Sequence, residues 1–310
     1  MNFIPIRLAT FRPDATIPFD LFIFYEGRYL HYRKPKDVIE AALIVKMKKK
    51  GIKKLFIKPE HENLYLTYLE AALDDLSESS IPVAQRSDMA KSTMLMEAEN
   101  VEKNLDSEES YNRTQSRINK VAQFLIKEKT AIENILASAG ASMDNTEHSA
   151  NVSTLALSIA GEAGITDQQE LFSLGLAALL HDIGKVKLEI DPLIPREKLP
   201  KEQRSKYWKH PEVAVEMLSG KKYITPRVLK LIHEHEEVGE GTGFPEKKWI
   251  KRLSEAGQVL NIANNFDHLC MVTKVTPMAC VEGWMANYAK LFIPKHVEIL
   301  QKILAKKVAS

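Results

Sequence analysis

The sequence predicts an α+β protein in which a small N-terminal α/β domain is followed by an all-α helical bundle. Two local patterns and the length support this. Within the first 77 residues, the aromatic and branched runs Leu21-Phe22-Ile23-Phe24-Tyr25 and Tyr29-Leu30-His31-Tyr32 flank Glu26-Gly27-Arg28, a strand texture around a turn. After Ser142 strand patterns stop, and apolar residues recur every three or four positions, the spacing of helices. A chain of 310 residues also suits about two domains at ~100–200 residues each.

The elements of the first domain, 1–77, follow in order. A hairpin turns at Gly27. Residues 35–50 read as a helix with Val38, Ala41, Ala42 and Val45 on one face, stopped by Gly51. A short strand over 54–57 and a second helix over 60–76 complete it. Residues 78–113 turn polar, with Ser79, Ser80, Ser87, Ser92, Asp106, Glu108, Glu109 and Ser110, and predict a linker. Residues 114–141 then carry Ile118, Val121, Ala122, Leu125, Ile132, Ile135, Leu136 and Ala139 at helical period up to Gly140. This connecting helix could pair two subunits in a homodimer or pack on its own chain.

The second domain, 142–310, reads as successive helices. One covers 150–163 and ends at Gly164; the next opens at Asp167, with Glu170 three residues later in a capping-box pattern. Others cover 201–218, 226–235, 253–272, 277–292 and 294–307. An all-α bundle follows.

Composition excludes several classes. With 45% hydrophobic and 27% charged residues the chain is globular, not disordered. Its 43 basic and 41 acidic residues leave a net charge of +2, which implies no wholesale binding of polyanions. Lys46, Lys48, Lys49, Lys50, Lys53 and Lys54 crowd together, but cations near a helix C-terminus favour a solvated helix end over a nucleic-acid contact. Cys270 and Cys280 lack the spacing of a thiolate metal site and read as unpaired, buried and reduced. Neither a signal peptide nor an apolar stretch of ~18 residues is visible, so no membrane partner is expected and a cytoplasmic location is the default. His31 and His61 stand without partners at ligand spacing. The first domain shows no nucleophile, metal cluster or phosphate-binding glycine loop, which leaves it a sensory or protein-contacting role.

In the bundle the histidines cease to be scattered. From His148 to His181, Asp182 to His210, His210 to His235, and His235 to Asp267 the intervals are 33, 28, 25 and 32 residues. Each is about one helix plus one connection, so these side chains can project from different helices toward one point. Imidazoles with a carboxylate suit Fe, Mn, Zn or Ni, and a carboxylate can bridge two cations. Asp182, directly after His181, is the bridging candidate. Gly184 and Lys185 follow it, and Lys185 can meet a phosphate oxygen.

At His181-Asp182-Ile183-Gly184-Lys185 the sequence resembles the HD superfamily of metal-dependent phosphohydrolases. His210-Pro211 and Gly241-Thr242-Gly243-Phe244-Pro245 narrow the resemblance to the HD-GYP branch. It implies a binuclear centre of two divalent ions, Fe or Mn, in an HD-type helical domain that hydrolyses cyclic di-GMP by hydroxide attack on a phosphodiester. By motif, the metal ligands would be His148, His181, Asp182, His210, His235 and Asp267. Asp182 and Lys185 would be catalytic, and Lys185, Gly241, Gly243 and Phe244 would bind substrate. Several positions depart from the family pattern. Glu236 stands where a second histidine is usual, and His233 two residues before His235. Asp144 replaces a glutamate that serves a third metal, and Asn264 occupies the usual late-ligand position three before Asp267. Phe244 replaces the eponymous tyrosine, Glu240 an aspartate and Val238 an arginine. The resemblance therefore implies a phosphodiesterase or, alternatively, a catalytically weak or inactive module that senses a nucleotide or binds a protein. A metal-free helical scaffold is a third reading.

Overall fold

The computed structural model describes residues 2–78, 80–137, 144–191, 194 and 198–305. The chain divides into two compact units, Met1–Thr93 and Met94–Ser310.

In the first unit β1 (Ile4–Arg7), β3 (Leu21–Tyr25), β4 (Arg28–Arg33) and β6 (Lys54–Ile57) form an antiparallel sheet in the order β1-β6-β3-β4, while β2 (Ala15–Thr16) pairs with β5 (Val38–Ile39). The turn between β3 and β4 places Glu26 and Gly27 at positive φ, 47° and 78°, as a tight two-residue hairpin requires. Leu21, Leu55 and Ile57 are buried. Phe22 and Phe56 lie opposite each other across β3 and β6, and the Tyr29 and Phe56 ring centroids are 5.0 Å apart. His31 and Asp20 are in contact at 2.7 Å, so His31 has a local partner.

The helix expected over 35–50 is shorter. Lys36 has φ 74°, which a helix excludes, Val38 and Ile39 pair as β5, and α1 spans Ala41–Lys49. Ile44 and Met47 are its buried residues while Val45 is exposed. The Asp14 carboxylate accepts the Ala41 N–H at 3.0 Å, a helix-start signal supplied from 27 residues away. The helix α2 (Glu62–Asp74) lies where expected.

The segment expected as a polar linker is helical. It contains α3 (Val83–Asn100), and the division between the two units falls inside that helix. Several of its polar residues are buried, Arg86, Ser87, Ser92, Thr93 and Glu97 among them, and Ser87 and Thr93 hydrogen-bond back to Val83 and Met89 carbonyls at 2.8 and 2.9 Å. Glu97 accepts from Arg117 at 2.7 Å and Thr114 at 2.6 Å. Composition cannot distinguish such satisfied polar groups from a solvated linker.

The long connecting helix is broken into α4 (Glu108–Lys127) and α5 (Ala131–Ala137); Gly140 lies outside the described residues. The same apolar stripe serves both pieces, so periodicity hides the break. Then come α6 (Asn145–Ala163), α7 (Gln168–Leu180), α8 (Ile183–Lys187), α9 (Lys201–Tyr207), α10 (His210–Leu218), α11 (Pro226–His233), α12 (Glu255–Thr273), α13 (Pro277–Asn287) and α14 (Pro294–Ala305). The helix expected over 201–218 is thus two, because Pro211 opens a new helix in its first turn. The central helix is α6. From His148 to Ala160 it is buried throughout, and it packs against α4, α7, α12 and α14. Among the described residues no helix is long and apolar enough to cross a membrane.

Candidate metal centre

The candidate ligands come from the ends of elements in the second unit. His148 lies in the first turn of α6, His181 closes α7, and Asp182 precedes α8. His210 opens α10, and His235 stands two residues beyond α11. All five are buried. His148, His181 and Asp182 offer donor atoms within 4.8 Å of one another, and so do Asp182, His210 and His235. Asp182 is common to both groups.

Backbone carbonyls aim three of the rings. His181 Nδ1 meets the Ala178 carbonyl at 2.7 Å, His210 Nδ1 that of Tyr207 at 2.6 Å, and His235 Nδ1 that of Ile232 at 2.6 Å. A carbonyl only accepts, so each Nδ1 donates and the neutral ring presents an Nε2 lone pair. These lone pairs face one carboxylate oxygen. Asp182 Oδ1 is buried, has no hydrogen-bond partner among the described residues, and lies 3.4, 3.5 and 3.7 Å from the Nε2 atoms of His181, His210 and His235. His210 and His235 bring their Nε2 atoms to 2.9 Å. Converging acceptors with no proton between them repel, and a divalent cation removes that conflict. The donor set therefore fits metal ions.

Lys185, also buried, donates to Asp182 Oδ2 at 2.9 Å and lies over the Tyr207 ring at 4.9 Å. Burial pushes the Asp182 carboxyl up, but His181, Lys185 and the other imidazoles outweigh it and hold it well below the usual carboxylate range. Burial is also the main reason that His181 is held down to about 3 and His210 well below its ordinary 6.5. An unfolded chain protonates both near 6.5, so the metal-free fold loses stability as pH falls below that value. The loss should approach ~1.4 kcal/mol per pH unit for each such histidine. Thermal unfolding of chelator-treated protein should show a falling midpoint from pH 7.5 to 5; a flat midpoint would contradict these ring environments.

Asp267, expected as a metal ligand, sits elsewhere. Its Oδ2 bonds His148 Nδ1 at 2.7 Å, whereas Asn264 Oδ1 is 3.2 Å from His148 Nε2, the nitrogen that lies 3.3 Å from His181 Nε2. Asp267 and Asn264 share a face of α12, and the shorter register places the amide, not the carboxylate, beside the cluster. Asp144 caps α6, accepting the Glu147 N–H at 2.9 Å. His233 ends α11 and lies near Glu246, whose acidity it helps to raise after Lys248.

The glycine loop is used internally. A Cβ on Gly243 would meet the Glu236 carbonyl at 2.3 Å, and one on Gly241 the Lys247 carbonyl at 2.7 Å. Buried Glu237 accepts the Glu246 and Lys248 N–H groups at 2.6 and 2.8 Å, pinning the far side of the loop. Phe244 packs edge-on to Tyr207 and His210, each at 5.8 Å. Beside the cluster opens a cavity of about 410 Å³ whose lining includes Tyr207, Glu236, Asn264, His268, Thr273 and Tyr288. Gly241, Gly243, Phe244 and Lys185 are not among its lining residues. Sequence reasoning missed Tyr207, although a residue three before a site histidine recurs as the carbonyl acceptor for all three aimed rings.

The profile of the HD domain family matches residues 130–278. The cyclic di-GMP phosphodiesterase response regulator RpfG of Xanthomonas campestris pv. campestris is 26% identical over 148 residues, 46% of this chain and 39% of that protein. The 3'3'-cGAMP-specific phosphodiesterase 2 of Vibrio cholerae is 32% identical over 129 residues, 40% of this chain and 25% of that protein. The cyclic di-GMP phosphodiesterase PA4108 of Pseudomonas aeruginosa is 30% identical over 120 residues, 37% of this chain and 28% of that protein. The chain thus spans well under half the length of these curated relatives. The solved structure of Bd1817, described as a HDG"Y"P protein from Bdellovibrio bacteriovorus, superposes with a TM-score of 0.78 at 25% identity, covering 98% of this chain and 100% of that one. Residues 130–278 are thus of the HD domain type. The likeness to the HDG"Y"P protein extends beyond that match, over nearly the whole chain.

Proposed function

We propose that the chain is a metal-dependent phosphodiesterase acting on a cyclic dinucleotide. The observation that supports this most is the buried, unpartnered Asp182 Oδ1 encircled by imidazole lone pairs. Two divalent ions held there, Fe or Mn, would polarise a phosphoryl oxygen and bring a bound water's pKa toward neutrality. His148 and His181 would serve one ion, with Asn264 beside them; His210 and His235 would serve the other, and Asp182 would bridge. Asp267 would orient His148 through Nδ1, the supporting role that carboxylates take behind metal-binding histidines. Lys185 would fix Asp182 by its Oδ2 and keep further N–H donors for a phosphoryl oxygen. The cavity, with its amides, hydroxyls and His268, would take the sugar and base of the ligand. The similar proteins named for cyclic di-GMP and 3'3'-cGAMP hydrolysis support this substrate class.

Purified protein loaded with Fe²⁺ or Mn²⁺ should linearise cyclic di-GMP or 3'3'-cGAMP in a chromatographic assay. Absence of cleavage of these and of a generic phosphodiester by protein holding two ions would defeat the enzymatic reading. One observation favours the alternative of a nucleotide-sensing module: Phe244 offers the site a ring without a hydroxyl. Calorimetry showing binding of the dinucleotide without turnover would select it.

A further inference from the structure

We infer that Glu236 is a donor to the second ion, completing with Asp182, His210 and His235 a set of two carboxylates and two imidazoles. The inference rests on the two-ion reading above and adds a ligand to it. Metal bonds from nitrogen or oxygen are ~2.0–2.2 Å, so two donors to one ion lie no more than about 4.3 Å apart. Glu236 Oε1 lies 3.9 Å from His210 Nε2 and 4.0 Å from His235 Nε2. The same two nitrogens stand 3.5 and 3.7 Å from Asp182 Oδ1. Each of these separations is within the span of a single ion.

Local backbone explains why neighbours in sequence can serve one point. Inside a helix, adjacent side chains diverge by about 100°. Here α11 has ended at His233, and Glu234 closes it outside helical geometry, with φ −95° and ψ 1°. The Glu237 N–H returns to the Glu234 carbonyl at 3.1 Å, a turn that brings His235 and Glu236 to the same side. Glu236 is buried yet touches the cavity. Tyr207 holds it there: its hydroxyl donates to Oε1 at 2.9 Å, while its own backbone carbonyl receives His210 Nδ1. One residue thereby aims two ligands of the same ion, and Tyr207 is a positioning residue. A second carboxylate also makes the set harder, which favours Mn²⁺ or Fe²⁺ over softer ions.

The test is metal binding by the full chain, read by elemental analysis and by Mn²⁺ titration followed with electron paramagnetic resonance. Wild-type protein should hold two Mn²⁺ and show a spin-coupled signal. Glu236→Gln should keep one tight ion, weaken the second at least tenfold and lose the coupled signal, whereas Glu236→His should restore both. Tyr207→Phe should weaken the second ion ~10-fold, the low end of effects from groups behind the ligands. A second ion bound by Glu236→Gln as tightly as by wild type overturns the inference and leaves the two-ion reading standing. Fewer than two ions in wild type overturns both. If circular dichroism shows Glu236→Gln unfolded, Glu236→His decides: two ions near wild-type affinity support the assignment, and one ion overturns it.

Discussion

Asp182→Asn is expected to remove both ions and hydrolysis together. The carboxylate is the donor shared by the two groups of converging side chains, and its Oδ1 faces three imidazoles that no other carboxylate oxygen approaches as closely among the distances found. Asn preserves the shape and supplies one neutral oxygen in place of a bridging anion. Metal assistance is worth several kcal/mol of transition-state stabilisation, and at ~1.4 kcal/mol per tenfold this is a loss of roughly 10³-fold in rate. Stability should also fall. Lys185 is buried against Asp182; stranding one member of a buried pair costs ~3–5 kcal/mol, and Glu236 Oε1, 4.0 Å from the Lys185 ammonium, should hold the loss below that range. Elemental analysis, a chromatographic rate assay and chemical denaturation check the three parts. Retention of two ions at wild-type affinity by a folded Asp182→Asn would defeat the proposed centre.

Gly184→Ala should be nearly as damaging without altering any ligand. A Cβ there would lie 2.1 Å from the His210 carbonyl oxygen and 3.0 Å from the Ala214 nitrogen. Both are backbone atoms of α10, which packs against α8, so no side-chain rotation relieves the clash. Overpacking a core costs ~1–3 kcal/mol where side chains can yield; with backbone against backbone the loss should reach at least the upper end. To accommodate the methyl, α8 and α10 must separate, moving Asp182 and His210 apart. The expected result is a lower unfolding midpoint and weakened binding of the ion that joins them, measured by thermal unfolding with and without Mn²⁺. An unchanged midpoint would show that the close approach of these helices is not needed.

Much of the site was legible because its chemistry sits in residue types at helix-sized intervals. His148, His181, Asp182, His210 and His235 do converge. What sequence could not show is which ring nitrogen faces which neighbour. Asp267 and Asn264 share a helix face, and only the three-dimensional register shows Asp267 at Nδ1 and Asn264 at the cluster side of His148. The surroundings of the glycine loop were hidden for a related reason: spacing reveals that the backbone needs room at Gly241 and Gly243 but not what fills it, here the Lys247 and Glu236 carbonyls. For the fold, helical periodicity located the bundle but could not see breaks that preserve the stripe, as between α4 and α5. Polar composition concealed α3, whose Ser87 and Thr93 bond to its own turns.

The rings of His181, His210 and His235 are each tethered to the carbonyl three residues earlier in their own segment. Their bearing is inherited from the path of the chain, not from the neighbours they confront. A substitution that tilts one of these segments by a few degrees therefore swings its nitrogen off target even when every ligand is intact. Ion affinity in this protein becomes a gauge of how its helices are seated, open to adjustment from far outside the pocket.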